Sequence, residues 1–268
     1  MLKKKISIVV VSLNTKSSFL KTINSIISQS YANKEIIVVD GNSTDGTIKI
    51  IKKMSKNFSK IIIDKDKGIY DAMNKGIALV KGEWTIFLNS GDVFKDINVL
   101  KKAHTTINKK SDIVFGNTII DNKDIFYYQS SKFFNNSTLQ IPFCHQSVFI
   151  KTKILKKNRF NLNYKICSDF NLFIKLYKKK YIFQKIEPII AIVTSGGLSD
   201  SSRLRVFYEN YDILKKNKML NGKTLSLFII FFNTILTKFI KFFLPKYIIN
   251  SILKMKYYNT IVKYKNDE

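Results

Sequence analysis

The chain has 268 residues, of which 45% are hydrophobic, and its formal net charge at pH 7 is +27. This length and composition suit one large folded domain with an appendage and are not typical of a disordered protein. The two cysteines, Cys144 and Cys167, form no CxxC pair, which disfavours a disulfide scaffold or a thiolate metal site and fits a reducing cytosol. Two histidines, His104 and His145, are too few for a His-rich zinc site.

Apolar runs and helical periodicity alternate through the first half of the chain. The runs predict buried strands at residues 6–11, 36–39, 61–63 and 84–88. Amphipathic helices are predicted at residues 19–31, 47–54, 69–80 and 97–107. This alternation is typical of the α/β class, with right-handed crossovers and a mostly parallel central sheet flanked by helices.

The rest of the chain is organised around one strand and the turn that follows it, residues 35–47. The apolar run ends at Asp40, and Gly41 allows the backbone to leave the sheet sharply. Ligands of open parallel sheets bind beyond the carboxyl ends of the strands, so Asp40 is expected to point into a pocket. The alternative is that Asp40 only caps the next helix, for which Ser43, Thr44 and Asp45 are also candidates.

Polar residues follow the other strands as well, and together they would line one edge of the sheet. They are Asn14, Asp40, Asp66 and residues 89–92. The tetrad Asn89-Ser90-Gly91-Asp92 offers oxygen ligands to a hard divalent ion such as Mg²⁺ or Mn²⁺, but it also makes an ordinary turn. Neither GxGxxG nor GxxxxGKS/T occurs, so a dinucleotide fold or a P-loop would lack its phosphate cradle.

Beyond Gly116 the pattern of the chain changes. Strands are predicted at residues 112–115 and 145–150, a hairpin at residues 118–121 and 125–129 around residues 122–124, and a mobile polar loop at residues 130–140. A helix at residues 168–179, an extended segment at residues 181–193 interrupted by Pro188, and a helix at residues 201–216 follow.

The C-terminal part of the chain is basic and apolar at once. Residues 213–266 contain 11 lysines and no acidic residue, a composition that suits an anionic membrane surface. Residues 225–244 have the length of a membrane-spanning helix but include Lys238 and Lys241. These lysines share one helical face with Asn233, Thr234 and Thr237, which favours a helix lying in the interface. A tail helix packed on the domain is the alternative.

Several spaced motifs run along residues 5–217. They lie at residues 11–14, 28–31, 35–47, 66–76, 82–84, 87–92, 144–147 and 168–172. In this order they resemble a family 2 glycosyltransferase with the GT-A fold, similar to bacterial enzymes of surface-polysaccharide assembly (colanic acid, capsule or O-antigen type). The resemblance implies an inverting transfer of a sugar from a nucleotide-diphosphate donor, in the first place a UDP-sugar, to a lipid-linked saccharide.

The same resemblance implies roles for individual residues. Asp169 matches the catalytic base, and Asp92 with Asn89 stands where the metal-binding DxD motif lies, with Mn²⁺ or Mg²⁺ as cofactor. His145 and Gln146 would bind the acceptor or support Asp169. The residues matched to donor nucleotide-sugar binding are Ser12, Asn14, Asp40, Asp66, Lys67 and Asn74.

Two positions depart from the family pattern. Gly41 replaces the second Asp of the usual pair after the second strand, so the base contact would depend on Asp40. Asn89 and Gly91 replace the two Asp residues of DxD and leave Asp92 as the only charged ligand, so the expectation is either a low metal affinity or an optional metal. From the residues alone, Asp169 is better explained as a favourable charge near a helix N-terminus than as a catalytic group. His145 is explained about equally well as a satisfied buried side chain.

These inferences predict a domain organisation and a location. Residues 1–217 would form the catalytic domain, with a nucleotide-binding half (1–116) and an acceptor-binding half (117–217), and residues 218–268 a basic amphipathic membrane-associating tail. The enzyme would lie in the cytoplasm, peripheral on the inner face of the cell membrane, with no nucleic acid as partner. The rival hypotheses are a non-catalytic basic module that binds nucleic acid and a sugar-nucleotide-binding relative that has lost catalysis.

Overall fold

The computed structural model describes residues 4–122, 125–135 and 137–262. Lys123 and Asp124 of the predicted hairpin turn lie outside the described residues, as do the tail lysines Lys263 and Lys265. The side chains at positions 238 and 241, on which part of the predicted polar face of the tail helix depends, are also outside the description.

Strands and helices alternate along the described chain. The strands are β1 (Ile6–Ser12), β2 (Lys34–Asp40), β3 (Lys60–Ile63), β4 (Trp84–Asn89), β5 (Val93–Phe94), β6 (Ile113–Asp121), β7 (Phe126–Gln129), β8 (Val148–Lys151) and β9 (Phe183–Thr194). The helices are α1 (Lys16–Ile27), α2 (Thr47–Lys53), α3 (Ile69–Leu79), α4 (Val99–Thr106), α5 (Thr152–Lys157), α6 (Ser168–Lys178), α7 (Leu198–Ser201), α8 (Arg203–Lys216), α9 (Thr224–Phe243) and α10 (Lys246–Tyr257). Short 3-10 helices are Ser55–Asn57, His145–Ser147 and Tyr258–Thr260.

The first half of the sheet is parallel, as the strand-helix alternation predicts. The order across the sheet begins β3-β2-β1-β4, and β1 pairs in parallel with both β2 and β4. Every residue of β1 is buried, because helices cover both faces of the sheet. The register places Ser12 beside Asp40 and Val11 beside Asn89, so the polar ends of these strands meet at one edge.

The second half of the sheet is mixed. The order continues β8-β6-β9-β5, with β8 antiparallel to β4 and β6, and β9 parallel to β6. The predicted hairpin is confirmed as β6 and β7, which pair from Thr118 with Gln129 to Asp121 with Phe126. However, β6 is one continuous strand where two were predicted, and it crosses the proposed boundary between residues 116 and 117. The two predicted halves therefore share one sheet, and their division stays a prediction.

Two predicted strands differ in detail from the observed ones. Residues 145–150 do not begin as a strand, because the Ser147 N–H and hydroxyl both bond to the Cys144 carbonyl and form a 3-10 turn. This turn carries His145 and Gln146 out of the sheet. In β9, Pro188 does not interrupt the strand, since the register with β6 shifts around Gly116 at this level and no ladder N–H is needed there.

The polar loop at residues 130–140 has no helix or strand among its described residues, but it is not simply a solvated connection. Ser131 and Phe134 are buried, and the Phe134 ring packs edge-on against Phe143 at 5.4 Å between centroids. Phe134 also stacks on Phe170 of α6. The loop therefore closes part of the core, and its mobility stays a prediction.

The C-terminal helices touch the domain at two places. Near the start of α9, the Phe231 ring contacts Phe207 of α8 at 5.1 Å. After α10 the chain returns to β7, where the Tyr257 and Tyr127 rings stack at 3.8 Å and the Val262 N–H donates to the Phe126 carbonyl. Within the described residues, no helix combines the length and apolar character that crossing a membrane requires.

Helix α3 lies directly on the parallel strands because it contains Gly76. A Cβ at position 76 would stand 2.5 Å from Val9 Cγ1 and 3.5 Å from Val39 Cγ2. The missing side chain allows the helix backbone to approach β1 and β2 closely.

We expect Gly76→Ala to lower the melting temperature. Helix propensity gains about 1 kcal/mol, but overpacking against Val9 costs roughly 1–3 kcal/mol. Thermal unfolding followed by circular dichroism measures the balance. The control is Gly197→Ala, whose added Cβ would meet nothing within 4 Å. An unchanged or raised melting temperature for Gly76→Ala would contradict the close approach.

Candidate active site

Asp40 lies at the carboxyl end of β2 and is completely buried. Its Oδ2 accepts the hydroxyls of Ser12 and Ser43, each at 2.7 Å, and its Oδ1 accepts the Ser43 N–H at 2.7 Å. Asp40 does not cap α2. The N-cap position of α2 is Gly46, without a side-chain cap, so the predicted caps Ser43, Thr44 and Asp45 are wrong as well. Asp45 precedes the N-cap, and its Oδ1 accepts the N–H of Thr47 at 2.9 Å. The observed contacts of Asp40 hold β1 to the loop after β2, and its contact with a nucleotide stays a prediction.

The glycine that departs from the family pattern has a physical reason in the structure. A Cβ at Gly41 would stand 2.5 Å from Asp66 Oδ2, so any side chain at position 41 would displace this carboxylate. Asp66 itself is held by the Gly68 N–H, which donates to its Oδ1 at 2.9 Å. A carboxylate therefore lies close to the position of the missing Asp side chain, supplied by the loop after β3.

The remaining predicted donor residues lie around the same edge of the sheet. They differ in the exposure and the hydrogen bonds of their side chains. Asn14 is exposed, and its Oδ1 accepts the Thr44 N–H at 2.9 Å. Lys67 is exposed as well. Asn74 is tied to the chain by two reciprocal bonds, from its Nδ2 to the Phe160 carbonyl and from the Phe160 N–H to its Oδ1. Asn74 thus holds the segment before α6 against α3.

Asp92 closes the turn after β4 and is 4% exposed. Its Oδ2 accepts Gln146 Nε2 at 2.9 Å and its Oδ1 accepts the Thr194 N–H at 3.0 Å. Burial raises the pKa of the Asp92 carboxyl, although the bonds from Thr194 and Gln146 oppose the shift. Asp92 therefore joins the turn to the 3-10 helix His145–Ser147 and to the end of β9.

These contacts bear on the predicted metal site. Both Asp92 oxygens are already engaged, and among the described residues no group of three His, Cys, Asp or Glu side chains is arranged to hold a metal ion. Asn89 Oδ1, in contrast, is a buried acceptor without a hydrogen-bond partner in the described structure. A divalent ion here would take most of its ligands from a bound phosphate, as Mg²⁺ often does. Asp92 as a direct ligand stays a prediction that its contacts do not favour.

Asp169 stands in the first turn of α6, where three donors meet its carboxylate. His145 Nδ1 lies 3.1 Å from Oδ2, the Tyr70 hydroxyl donates to Oδ1 at 3.0 Å, and the Phe170 N–H donates to Oδ1 at 2.8 Å. The Asp169 side chain is 12% exposed. A mostly buried carboxylate with an accessible remainder has the form of a general base held in one orientation.

The ring of His145 links this carboxylate to the turn after β4. Its Nε2 lies 3.4 Å from Asn89 Nδ2, which donates and leaves Nδ1–H to donate to Asp169. Asn89, His145, Asp169 and Tyr70 thus form a hydrogen-bonded row, in which Tyr70 contacts Asp169 from the other side. Burial raises the pKa of the Tyr70 hydroxyl well above its usual value, and the Asp169 charge adds to the shift, so Tyr70 acts only as a donor.

Both cysteines are free thiols, and Cys144 lies close to this row. Burial raises the pKa of the Cys144 thiol to about 11, so it stays protonated at neutral pH. Its thiol contacts Thr118 Oγ1 and Gln129 Oε1, each at 3.6 Å. Cys144 packs in the site as a neutral group.

Sequence reasoning missed two residues of this site, Tyr70 and Thr194. Tyr70 lies inside the motif at residues 66–76, two positions after Gly68, but the motif does not reveal that its hydroxyl donates to Asp169. Thr194 contributes a backbone N–H, which no side-chain pattern reveals. The structure does bring together Asn89, Asp92, His145, Gln146 and Asp169, as the spaced motifs indicated.

The comparison with known families decides the classification. The sequence profile described as glycosyl transferase family 2 matches residues 7–183. This chain belongs to that family. It is accordingly a glycosyltransferase, and the match covers the strand-end loops and Asp169 but not α8, α9 and α10.

Curated relatives of this family 2 glycosyltransferase carry related names. A PGL/p-HBAD biosynthesis glycosyltransferase of Mycobacterium bovis is 27% identical over 203 residues, which cover 73% of this chain and 79% of that protein. The UDP-Glc:alpha-D-GlcNAc-diphosphoundecaprenol beta-1,3-glucosyltransferase WfaP of Escherichia coli is 33% identical over 119 residues, covering 43% of this chain and 47% of that protein.

Solved structures show the same fold. Staphylococcus aureus TarS 1-349 in complex with UDP-GlcNAc has a TM-score of 0.64 at 19% identity, covering 86% of this chain and 71% of that chain. The mannosyltransferase PcManGT of Pyrobaculum calidifontis, in complex with GDP-Man and Mn²⁺, has a TM-score of 0.62 at 12% identity, covering 95% and 81%. The GT-A fold expected for this family 2 glycosyltransferase is confirmed.

We expect Asp40→Asn to lower the stability of this glycosyltransferase. The amide would present an NH₂ group to donors that now bond a carboxylate, and an unsatisfied buried donor costs roughly 1–3 kcal/mol. Urea unfolding measures the change. Glu187→Gln, at an exposed carboxylate, is the control and should alter stability by less than about 0.5 kcal/mol. Equal midpoints for both variants would show that the internal bonds of Asp40 are dispensable.

Proposed function

We propose that this glycosyltransferase moves a sugar from a nucleotide-diphosphate donor to a hydroxyl of a lipid-linked saccharide. The transfer inverts the configuration at the anomeric carbon of the sugar. The observation that carries the proposal is the carboxylate of Asp169, held by His145 and Tyr70 in one orientation with a small accessible remainder. An inverting displacement needs one such base on the acceptor side.

The proposed step is a single displacement. Asp169 removes the proton of the acceptor hydroxyl as the hydroxyl oxygen attacks the anomeric carbon. The bond from that carbon to the donor phosphate oxygen breaks at the same time, and the nucleoside diphosphate leaves with the electron pair. His145 Nδ1–H and the Tyr70 hydroxyl keep the carboxylate oriented. A base of this kind contributes roughly 10²- to 10⁴-fold in rate.

We place the donor at the carboxyl edge of β1, β2 and β4. Asn14, Asp66 and Lys67 are the predicted donor residues with exposed or partly exposed side chains, so they would make direct contacts. The other three predicted residues hold the loops that present these groups, because internal hydrogen bonds engage their side chains. They are Ser12 and Asp40, which are buried, and Asn74, which is partly buried. A UDP-sugar is the preferred donor because TarS was solved with UDP-GlcNAc and WfaP is named for UDP-Glc.

Mn²⁺ or Mg²⁺ stays in the proposal as a companion of the donor diphosphate. A bound ion would offset the negative charge that develops on the leaving group. Asn89 Oδ1 is the unpartnered atom proposed as its protein ligand, and Asp92 would hold the turn that presents Asn89. PcManGT, which shares the fold, was solved with GDP-Man and Mn²⁺, and this supports the ion in the proposal.

The test of the base is Asp169→Asn. We expect turnover to fall by about 10²- to 10⁴-fold because the amide cannot accept the proton. UDP binding should persist, since Asp169 faces the acceptor in the proposal. Release of UDP from UDP-glucose and UDP-N-acetylglucosamine, with a polyprenyl-diphosphate-linked saccharide as acceptor, measures turnover. Calorimetry with UDP, with and without Mn²⁺, measures donor binding.

Glu187→Gln again serves as the control. The Glu187 side chain is exposed, and its observed ion pair is with Lys185 and not with a residue of the site. Full turnover in Asp169→Asn would overturn the assignment of the base. Wild-type protein that binds UDP without turning over any donor would instead favour the inactive relative. Failure to bind UDP under any metal condition would overturn the donor site itself.

We propose further that α9 lies on an anionic membrane surface, where a lipid-linked acceptor is found. At about 100° per residue, its large exposed side chains fall within an arc of roughly 120°. They are Leu225, Phe228, Ile229, Phe232, Ile235, Leu236 and Phe243. The opposite side, with Leu227 and Phe231, packs on the domain. A helix that served only to cover the core would bury its apolar stripe instead.

The positive charge of this part of the chain supports an anionic membrane surface as the partner of the exposed face of α9. Residues 213–266 carry only positive formal charges on their side chains, and phosphatidylglycerol or similar lipids are negative. The WfaP name includes diphosphoundecaprenol, a lipid carrier, which supports an acceptor held at a membrane. The location that follows is peripheral, on the cytoplasmic face of the cell membrane.

We expect the double variant Phe228→Ser, Phe232→Ser to lose binding to vesicles that contain phosphatidylglycerol by about tenfold or more, because two aromatic side chains no longer enter the interface. Vesicle sedimentation measures the bound fraction. The matched control is Ile97→Ser, Ile182→Ser, which removes two exposed apolar side chains of the catalytic domain. Equal binding of both variants would exclude α9 as the contact surface.

A further inference from the structure

A buried carboxylate on α8 is fixed to the backbone just before Asp169. Glu209 is 9% exposed, and three consecutive N–H groups donate to it. The Lys165 N–H reaches Oε1 at 3.0 Å, and the N–H groups of Ile166 and Cys167 reach Oε2 at 2.9 Å each. Arg205 Nε donates to Oε1 at 2.9 Å. The carboxylate thus binds every amide of the segment that leads into α6.

These four hydrogen bonds stabilise the negative charge of Glu209. Burial raises the pKa of the Glu209 carboxyl, but the bonds from the three amides and from Arg205 outweigh burial and hold the pKa below its usual range. Hydrogen bonds to an ionised acceptor are roughly twice as strong as neutral ones. The segment at residues 165–167 therefore has a strong reason to keep this one conformation.

The carbonyl side of the same segment is held by a second residue. The Tyr70 hydroxyl lies 2.5 Å from the Ile166 carbonyl oxygen and 3.0 Å from Asp169 Oδ1. Glu209 and Tyr70 thus hold the segment from opposite sides of its peptide groups. Tyr70 lies within the part of the chain that matches the family, whereas Glu209 lies beyond residue 183.

We infer that Glu209 is a positioning residue for sugar transfer, which sets the place of Asp169 by binding the amides of residues 165–167. The inference rests on the proposed role of Asp169 as the base. A displacement of about 1 Å in a reacting group lowers rates by roughly 100-fold. Glu209 itself makes no observed contact with the predicted donor residues, although the exposed Lys165 Nζ lies 3.4 Å from the Lys67 carbonyl. The main effect of Glu209 is therefore expected on turnover and not on donor binding.

The experiment compares Glu209→Gln with Asp212→Asn. Gln keeps the size of Glu but offers NH₂ to amides that need an acceptor. Asp212 lies on the same helix and accepts the Tyr164 hydroxyl at 2.7 Å, without contact to the backbone of residues 165–167, so its variant removes an equal charge from α8. Glu209→Asp, which keeps the carboxylate on a shorter side chain, serves as the milder variant if Glu209→Gln does not fold.

We expect kcat of Glu209→Gln to fall by about 10- to 100-fold, with the donor KM and the Kd for UDP within about twofold of wild type. Glu209→Asp should have an intermediate kcat, and Asp212→Asn the wild-type value. All assays are run well below the melting temperature of each variant. In a double-mutant cycle, Tyr70→Phe and Glu209→Gln should reduce kcat by less than the product of their single effects, because they hold one segment.

Three results would overturn the inference. The first is wild-type kcat in Glu209→Gln, or in Glu209→Asp where that variant alone folds. The second is an equal loss of UDP binding and kcat, which indicates a general defect of folding. The third is an equal loss in Asp212→Asn. Asp169→Asn is assayed in parallel, since full turnover there would overturn the proposed function itself, whereas loss there with normal Glu209 variants would overturn only the positioning role.

Discussion

The hydrogen bond between His145 and Asp169 joins the two parts of the sheet at the place where chemistry is proposed. His145 follows the loop at the antiparallel side, and its other nitrogen reaches Asn89 at the end of parallel strand β4. Asp169 opens α6 and receives Tyr70 from the start of α3. The carboxylate is thus contacted from α3 and from the 3-10 helix His145–Ser147, and His145 links it to β4.

Buried carboxylates form the framework of the site, and each is satisfied within the protein. Asp40 binds Ser12 and Ser43, and Asp92 binds Gln146 and the Thr194 amide. At the opposite end of the strands, Glu35 accepts the Lys81 and Gly82 amides. A carboxylate without such donors would be costly to bury. Although the chain has a large positive net charge, its buried carboxylates are negative groups that fix loops and strand ends.

Much of this fold was predictable from sequence, because its first half follows simple rules. The β-branched runs of β1 and β2 and the turn after Asp40 specify parallel strands whose ends meet. The site residues at the ends of β4 and at the start of α6 were found through spaced motifs. Local signals of this kind are read directly from the sequence.

What could not be predicted depends on contacts between distant residues. The apolar residues 148–150 look like the middle of a strand that starts at His145, and only the Ser147 bonds to Cys144 show that the strand begins later. The bond from Gln146 to Asp92 and the bonds of Glu209 to residues 165–167 join positions far apart in sequence. No periodicity carries such information, because these pairs are chosen by the assembled tertiary structure.

The return of the tail to β7 has a consequence for solubility. β7 pairs on one side with β6, and its other side meets the bridge from Tyr127 to Ile261 and the Val262 N–H. An uncovered strand edge is a template for pairing with other chains. The last turn of the tail therefore works as an edge cover, and shortening the chain before Tyr257 would turn a lateral surface of the sheet into a site for aggregation.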